Sequence, residues 1–428
     1  MKNFTKQILT SSIFLLFVSF VVYGQTNVSG GIYSNTTWTL ANSPYIVVDT
    51  VVVFPGVTLT IEPGVVVKFD DNKRLEIRQA KIIAEGTTND SITFTSNSLS
   101  PIPGKWATIY LNNAIKLSKF NYCYFKYANW GIYADYASNS SDTVIIKNSN
   151  FYYNKEGIHS YWFPLKIDSC NFIYNTNYGV YGFTSTFLNY CFISNNNTGV
   201  YFAHYNKIMN SIIDSNTIKG IYLWYYHDTI VNCQIRNNGI GIYDSIYDNN
   251  NFIYRNIIEN NFIGIKLKGS QENISCNKIC NNTFYDLYSN VVSGSNCIVE
   301  NNYWCTIDSI STTTRIYDGY DNINLGLISF MPLDTLQCYL ATQIPISEFQ
   351  NFSISIFPNP ASENLTISLQ TNISKTEIKI FNILGEIEYF SIVTNQKSII
   401  DVSALTSGIH IIQIVVGNNI SRQRFIKQ

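Results

Sequence analysis

The sequence predicts an all-β chain: a parallel β-helix solenoid followed by a small C-terminal β-sandwich. Three observations lead there. First, one phrase returns at a fixed period of about 21 residues from Ser149 to Asn301, and a period in that range marks a solenoid. The phrase is a small residue, a spacer, a large apolar residue, two more residues, then Asn. Second, apolar and polar positions alternate within each copy, which is a strand period, and no copy leaves room for a helix between strands. Third, the period stops near Phe352 and gives way to short unstacked strands.

The copies run Ser149/Phe151/Asn154, Cys170/Phe172/Asn175, Cys191/Ile193/Asn196, Ser211/Ile213/Asn216 and Cys233/Ile235/Asn238, then Asn256/Ile258/Asn261, Asn277/Ile279/Asn282 and Asn296/Ile298/Asn301. If each copy closes one turn, equivalent residues lie ~4.8 Å apart, and Asn stacks on Asn so that each amide donates to one neighbour and accepts from the other. Most copies continue into Gly-Ile or Gly-Val, at Gly157, Gly179, Gly199, Gly220, Gly241 and Gly264. A glycine there suggests a corner that needs φ > 0.

Taken in order, residues 1–24 read as a secretory signal. Lys2 and Lys6 precede an apolar run, Ile8–Val22, and Val22-Tyr23-Gly24 offers a cleavage site before Gln25. No other segment is long and apolar enough to span a bilayer, so the mature chain is expected to have no transmembrane anchor. Net charge is −1 and charged residues make up 13% of the chain, so no basic field exists to hold nucleic acid. Residues 25–337 are assigned to the β-helix. Within them, Val57-Thr-Leu-Thr-Ile and Val65-Val-Val-Lys-Phe are β-rich runs broken by Pro55-Gly56 and Pro63-Gly64, and residues 26–45 are expected to cover the exposed first coil. The array closes at Asn301-Asn-Tyr-Trp-Cys305. Residues 338–351 read as a linker, and 352–428 as the sandwich, through Ser353–Pro360, Ile378–Gly385, Ile399–Gly408 and the basic strand ending at Gln428.

Two resemblances follow from these residues. The opening and closing runs resemble bacterial right-handed parallel β-helix proteins of the pectate-lyase-like superfamily, whose closing segment is usually Asn-Asn-Tyr-Trp-Gly; here Cys305 replaces the glycine. That resemblance implies the right-handed sense and leaves the chemistry open, since the superfamily includes lyases, hydrolases, epimerases and binders. Pro358, Asn359, Pro360, Gly385 and Gly408 closely resemble the type A C-terminal sorting domain of the type IX secretion system, with His410 where the family usually has Tyr. This implies that the secretion machinery is a partner, that the chain is secreted or attached to the outer cell surface, and that the sorting domain is removed.

Candidate site residues are few. Tyr181, Tyr201, Tyr222 and Tyr243 follow the Gly-Ile or Gly-Val pairs and are expected to form an outward aromatic row, with Trp224 just beyond. Such rings suit sugar faces, but cross-strand stacking alone accounts for them equally simply. Asp214, Arg236 and Glu259 fall in one outward column on three successive coils, a weak catalytic candidate with the look of a surface ion ladder. His159, His204 and His227 read as scattered loop histidines. Cys123, Cys170, Cys191 and Cys233 share the small inward column with Ser149 and Ser211, as buried core thiols; Cys276, Cys280, Cys297 and Cys305 are more scattered, with no zinc spacing. Asp318, Asp321 and Asn322 read as turn caps rather than a calcium loop. No metal or other cofactor is expected. The leading functional expectation is a non-catalytic surface protein binding glycan or acting in adhesion; the alternative is a polysaccharide lyase or glycoside hydrolase using the β-helix groove.

Overall fold

The computed structural model describes residues 24–114, 118–137, 143–245, 250–270, 272–335, 338, 354–369, 376–382, 387–395, 397–416 and 419–428. The signal segment 1–23 and most of the linker lie outside the described residues. The chain divides into two compact units, Met1–Thr342 and Gln343–Gln428.

The first unit is the right-handed parallel β-helix. One wall is an 11-stranded parallel sheet with one strand per turn, and the other two walls belong to a continuous 23-stranded sheet. The Phe/Ile position of the repeat points inward, and its register runs without a break through Phe125, Phe151, Phe172, Ile193, Ile213, Ile235, Ile258 and Ile279. All eight are fully buried. Each such side chain contributes ~1.5–3 kcal/mol of burial, and the column changes type only once, where Phe172 meets Ile193, so it is a continuous core. At its start Thr26–Ile32 pairs in parallel with Tyr45–Val53, and Thr36–Trp38 with Thr58–Ile61. These two strands thus extend the walls by one turn and become their first strands.

The corners are polar columns. Asn154, Asn175, Asn196, Asn216, Asn238, Asn261 and Asn282 form a buried ladder. Each amide Nδ2 donates to the Oδ1 of the next coil at 2.9–3.1 Å, and the last donates to Asp286 at 2.8 Å. The same oxygens accept backbone N–H groups that the turn would otherwise strand. Asp286 closes the ladder with a cation, Arg315 Nε lying 3.2 Å from Oδ2.

Two sequence expectations need correction here. The repeated glycines do not adopt φ > 0. The left-handed residues are those just before each ladder residue, Tyr153, Tyr174, Asn195, Ser215, Asn237 and Asn260, at φ between 56° and 58°. Glycine is required for closeness instead: a Cβ on Gly157, Gly179, Gly199, Gly220, Gly241 or Gly264 would sit 2.5–2.7 Å from a carbonyl oxygen of the next coil. The eighth copy is also out of register. Asn277 Nδ2 donates to Asn302 at 3.0 Å, so Asn302, not Asn296, continues the small column, and Ile298 is exposed.

The closing segment shows what Cys305 does in place of glycine. It takes φ 58° and is disulfide-bonded to Cys280; Cys276 pairs likewise with Cys338. Cys123, Cys170, Cys191, Cys233 and Cys297 are free and buried. Asp318 and Asp321 accept backbone N–H groups from Tyr320, Ile328 and Asp318, as turn caps do.

The second unit is a sandwich of two antiparallel sheets. One holds Ile354–Phe357, Asn364–Leu369 and Lys397–Asp401; the other holds Ile387–Val393, Thr376–Phe381, Gly408–Val416 and Asn419–Lys427. Leu365, Ile367, Ile378, Ile380, Ile412, Ile414 and Phe425 fill the space between them. Asn359 Oδ1 accepts from Ile426 N at 2.9 Å, tying the Pro-Asn-Pro turn to the last strand. Gly408 has φ 138°, a conformation that favours glycine. His410 is buried, with Nε2 2.7 Å from Glu388. Gly385 lies outside the described residues.

Candidate functional site

The wall that follows each glycine carries an outward column running Tyr110, Tyr133, His159, Tyr181, Tyr201, Tyr222, Tyr243, Lys266, Tyr288 and Tyr317. Strand alternation sets all of them on the solvent side of a fully buried Ile/Val/Leu column. Ring centroids of His159–Tyr181 and Tyr181–Tyr201 are 4.2 and 4.3 Å apart and nearly parallel. Tyr222 turns edge-on to Tyr201 at 5.2 Å and stacks on Tyr243 at 5.4 Å.

Outward does not mean accessible at every rung. Tyr201 is only 5% exposed, so the outward row does not present all four rings to solvent. Tyr178, Tyr181, Tyr222 and Trp224 close around it, and this burial pushes its phenol far above the usual range, with Tyr181 adding to the effect. The presented rings lie to the side. Trp224 packs on Tyr201 at 5.8 Å and stands 37% exposed, and Tyr161, Trp162 and Tyr226 are more open still.

The residue just before each glycine forms a second column on the same wall, Trp130, Glu156, Tyr178, Thr198, Lys219, Ile240 and Ile263, in which Glu156 and Lys219 carry charge. This column is legible in the sequence once the glycines are aligned, and the sequence reading passed over it. Glu156 Oε2 lies 2.7 Å from His159 Nδ1, and its Oε1 accepts from Asn177 at 2.9 Å. His159 is therefore an oriented member of the row and not a scattered loop residue. His204 stacks on Tyr225 at 4.5 Å, with its Nδ1 buried and unpartnered; burial pulls its pKa down. Asp135 accepts from the hydroxyls of Tyr110 and Tyr133 at 3.0 and 3.2 Å, and burial, then Asp135, pushes the Tyr110 phenol up to about 12.

Asp214, Arg236 and Glu259 do occupy one register on successive coils, but on the neighbouring wall. They do not act as one triad. Arg236 Nε pairs with Asp214 at 3.0 Å, whereas Glu259 pairs with Lys278 at 2.7 Å.

Residues 355–428 match the secretion system C-terminal sorting domain, and residues 111–320 match the family described as periplasmic copper-binding protein (NosD). Over 81 residues, 18% of its length, the chain is 37% identical to ulvan lyase NLR42 of Nonlabens ulvanivorans; it spans 15% of that lyase. Among solved structures, the periplasmic alginate epimerase AlgG is similar at 11% identity and TM-score 0.39, over 70% of this chain and 84% of the epimerase. A point mutant of that epimerase aligns at 10% identity and TM-score 0.36, over 71% of this chain and 75% of its own.

The chain is thus a β-helix protein with a type IX sorting domain, exported by that machinery and secreted or attached at the cell surface. Among the described residues, no helix is long and apolar enough to cross a membrane. The copper in the NosD description finds no matching donor set among the described residues. No group of three or more His, Cys, Asp or Glu among the described residues is arranged to hold a metal. The buried thiols donate to carbonyls of their own corners, and burial pushes Cys191 and Cys233 up to about 12, away from the thiolate a metal needs. They do not fit a copper centre.

Proposed function

We propose that this protein is a non-catalytic, surface-displayed glycan-binding module whose contact face is the aromatic column and its flanking rings. The observation that carries this reading is the combination of a rigid row, Tyr181 to Tyr243, with the partly exposed Trp162, Trp224 and Tyr226 beside it. Stacked cross-strand rings would by themselves stabilise the sheet. The side rings gain little from being left open to water, whereas sugar faces pack well against flat aromatic surfaces presented without loss of rotamer freedom. Export to the surface sets the face before extracellular polysaccharide. A glycan array on the full chain tests the reading; retention of no polysaccharide would oppose it.

A second reading, polysaccharide lyase or glycoside hydrolase, draws on the Glu156–His159 contact. A carboxylate holding Nδ1 leaves Nε2 as the nitrogen that would act on a ligand, an arrangement suited to proton transfer. Asp214, Arg236 and Glu259 support it less, since each charge is already paired. Product analysis with the wild type and His159→Ala separates the readings: new chain ends made by the wild type alone would favour the enzyme.

A further inference from the structure

The aromatic column is electrically uneven along its length. At one end Asp135 and Glu156 face it. Asp135 is held by two phenols, and the ion pairing of Glu156 is with His159 alone. At the other end stand Lys219 and Lys266. Lys219 Nζ lies 4.7 Å from the centre of the Tyr222 ring and 5.7 Å from that of Tyr243; Lys266 Nζ lies 5.4 Å from Tyr243 and 5.2 Å from Tyr288. Both ammonium groups thus bracket one ring, that of Tyr243. Among the described residues neither forms an ion pair with a carboxylate, whereas Arg236, Lys278 and Arg315 do. Burial, and next the charge of Lys266, depresses the pKa of Lys219. Two like charges held together on half-buried stems, with only ring faces to answer them, lack a counter-ion.

We propose that Lys219 and Lys266 form an anion seat, and that the ligand of this face is a sparsely charged polysaccharide, neutral along most of its length, whose carboxylate or sulfate substituent sits at the outer edge of the Tyr243 ring, met by the ammonium groups on its two sides. The proposal rests on the glycan reading above and deepens it. Sparse substitution follows from the other end of the column. Tyr133 and Tyr243 are five coils apart, ~24 Å at the inter-strand spacing. A chain charged at every sugar would bring anions against Asp135 and Glu156, where like charge repels; unsubstituted hydroxyls there would donate to those carboxylates.

The test is affinity electrophoresis of the full chain at low salt in gels containing hydroxyethyl cellulose, lightly carboxymethylated cellulose, lightly sulfated cellulose or densely carboxymethylated cellulose. The proposal expects at least fivefold tighter retention by one or both lightly charged gels than by the neutral one, with the carboxylate and sulfate gels telling the two sources apart. Dense substitution should weaken retention. Lys219→Gln/Lys266→Gln, checked for folding by circular dichroism, should bring retention in the lightly charged gels down to that in the neutral gel. Equal retention of wild type and double variant in the charged gels would overturn the anion seat and leave the glycan reading standing. Wild-type retention equal in all gels would do the same. Absence of retention in every gel would overturn both.

Discussion

Asn206 donates from Nδ2 to one carboxyl oxygen of Asp228 at 3.0 Å, and the other oxygen of Asp228 is buried without a partner. These two residues belong to a second corner ladder, Asn206, Asp228, Asn251 and Glu272. In the long Asn ladder, the corresponding position is an amide nitrogen that donates to the next coil. Asp228 can imitate it only as the neutral acid. Burial pushes its carboxyl up to about 8, and Glu272 shifts the same way through burial and the nearby Asp244.

A pH dependence follows. Folded Asp228 keeps its proton to about pH 8, while the unfolded chain releases it near 3.8. The unfolded state therefore binds fewer protons across that window, so stability is full below it and falls as pH rises toward 8. Asp228→Asn supplies the missing donor. It should raise stability at pH 8 by ~1–2 kcal/mol and flatten the decline. Thermal unfolding of wild type and variant between pH 5 and 9 checks this; parallel curves would contradict it.

The glycine column offers a steric prediction. A Cβ on Gly199 would meet the Gly220 carbonyl oxygen at 2.6 Å. Gly199→Ala should destabilise the array by ~1–3 kcal/mol, because backbone on the neighbouring coil cannot swing aside as a side chain would. Gly56→Ala, in open space at φ 78°, tests the other role of glycine and should cost less, ~0.5–2 kcal/mol of backbone strain. Denaturant titration measures both, and equal losses would mean that close approach is not what the repeat demands.

The charged column on the neighbouring wall is expected to be structural and minor. Arg236 is partly exposed and pairs with Asp214 alone. Arg236→Ala should change stability by no more than ~1 kcal/mol and leave glycan retention intact. Loss of retention would bring that wall into the binding site.

Export is separable from folding, since the two units have separate cores. Deleting Phe352–Gln428 should leave the β-helix folded and trapped in the periplasm. Cell fractionation reads this directly, with surface display of the truncated chain as the opposing result.

Much of the fold was legible because stacking makes sequence period and structural period the same quantity: Phe151, Phe172 and Ile193 predict one another. The sorting domain was legible from Pro358-Asn359-Pro360 and Gly408. Legibility failed where the period slipped. Inserted residues between Asn282 and Asn302 shift the last coil, and the phrase at Asn296 imitates the repeat without its register. Glycine misled because two physical causes, positive φ and close approach, select the same residue. In the site, the row was readable by alternation, but accessibility was not, because Tyr201 is buried by neighbours on the coils before and after it. Glu156 and Lys219 escaped notice since single charges in a column carry no repeat; only their shared position before glycine marks them.

Glycan binding by the aromatic face is tested most directly at Tyr222 and Trp224. Both lie outside the buried interior column, so Tyr222→Ala/Trp224→Ala should keep the β-helix intact by circular dichroism. Co-sedimentation of wild type and double variant with the insoluble polysaccharide best retained on the array is the measurement. The account predicts at least tenfold weaker retention of the double variant, equivalent to ~1.4 kcal/mol or more. Equal retention of the two proteins would contradict it and make the row a device of the sheet alone.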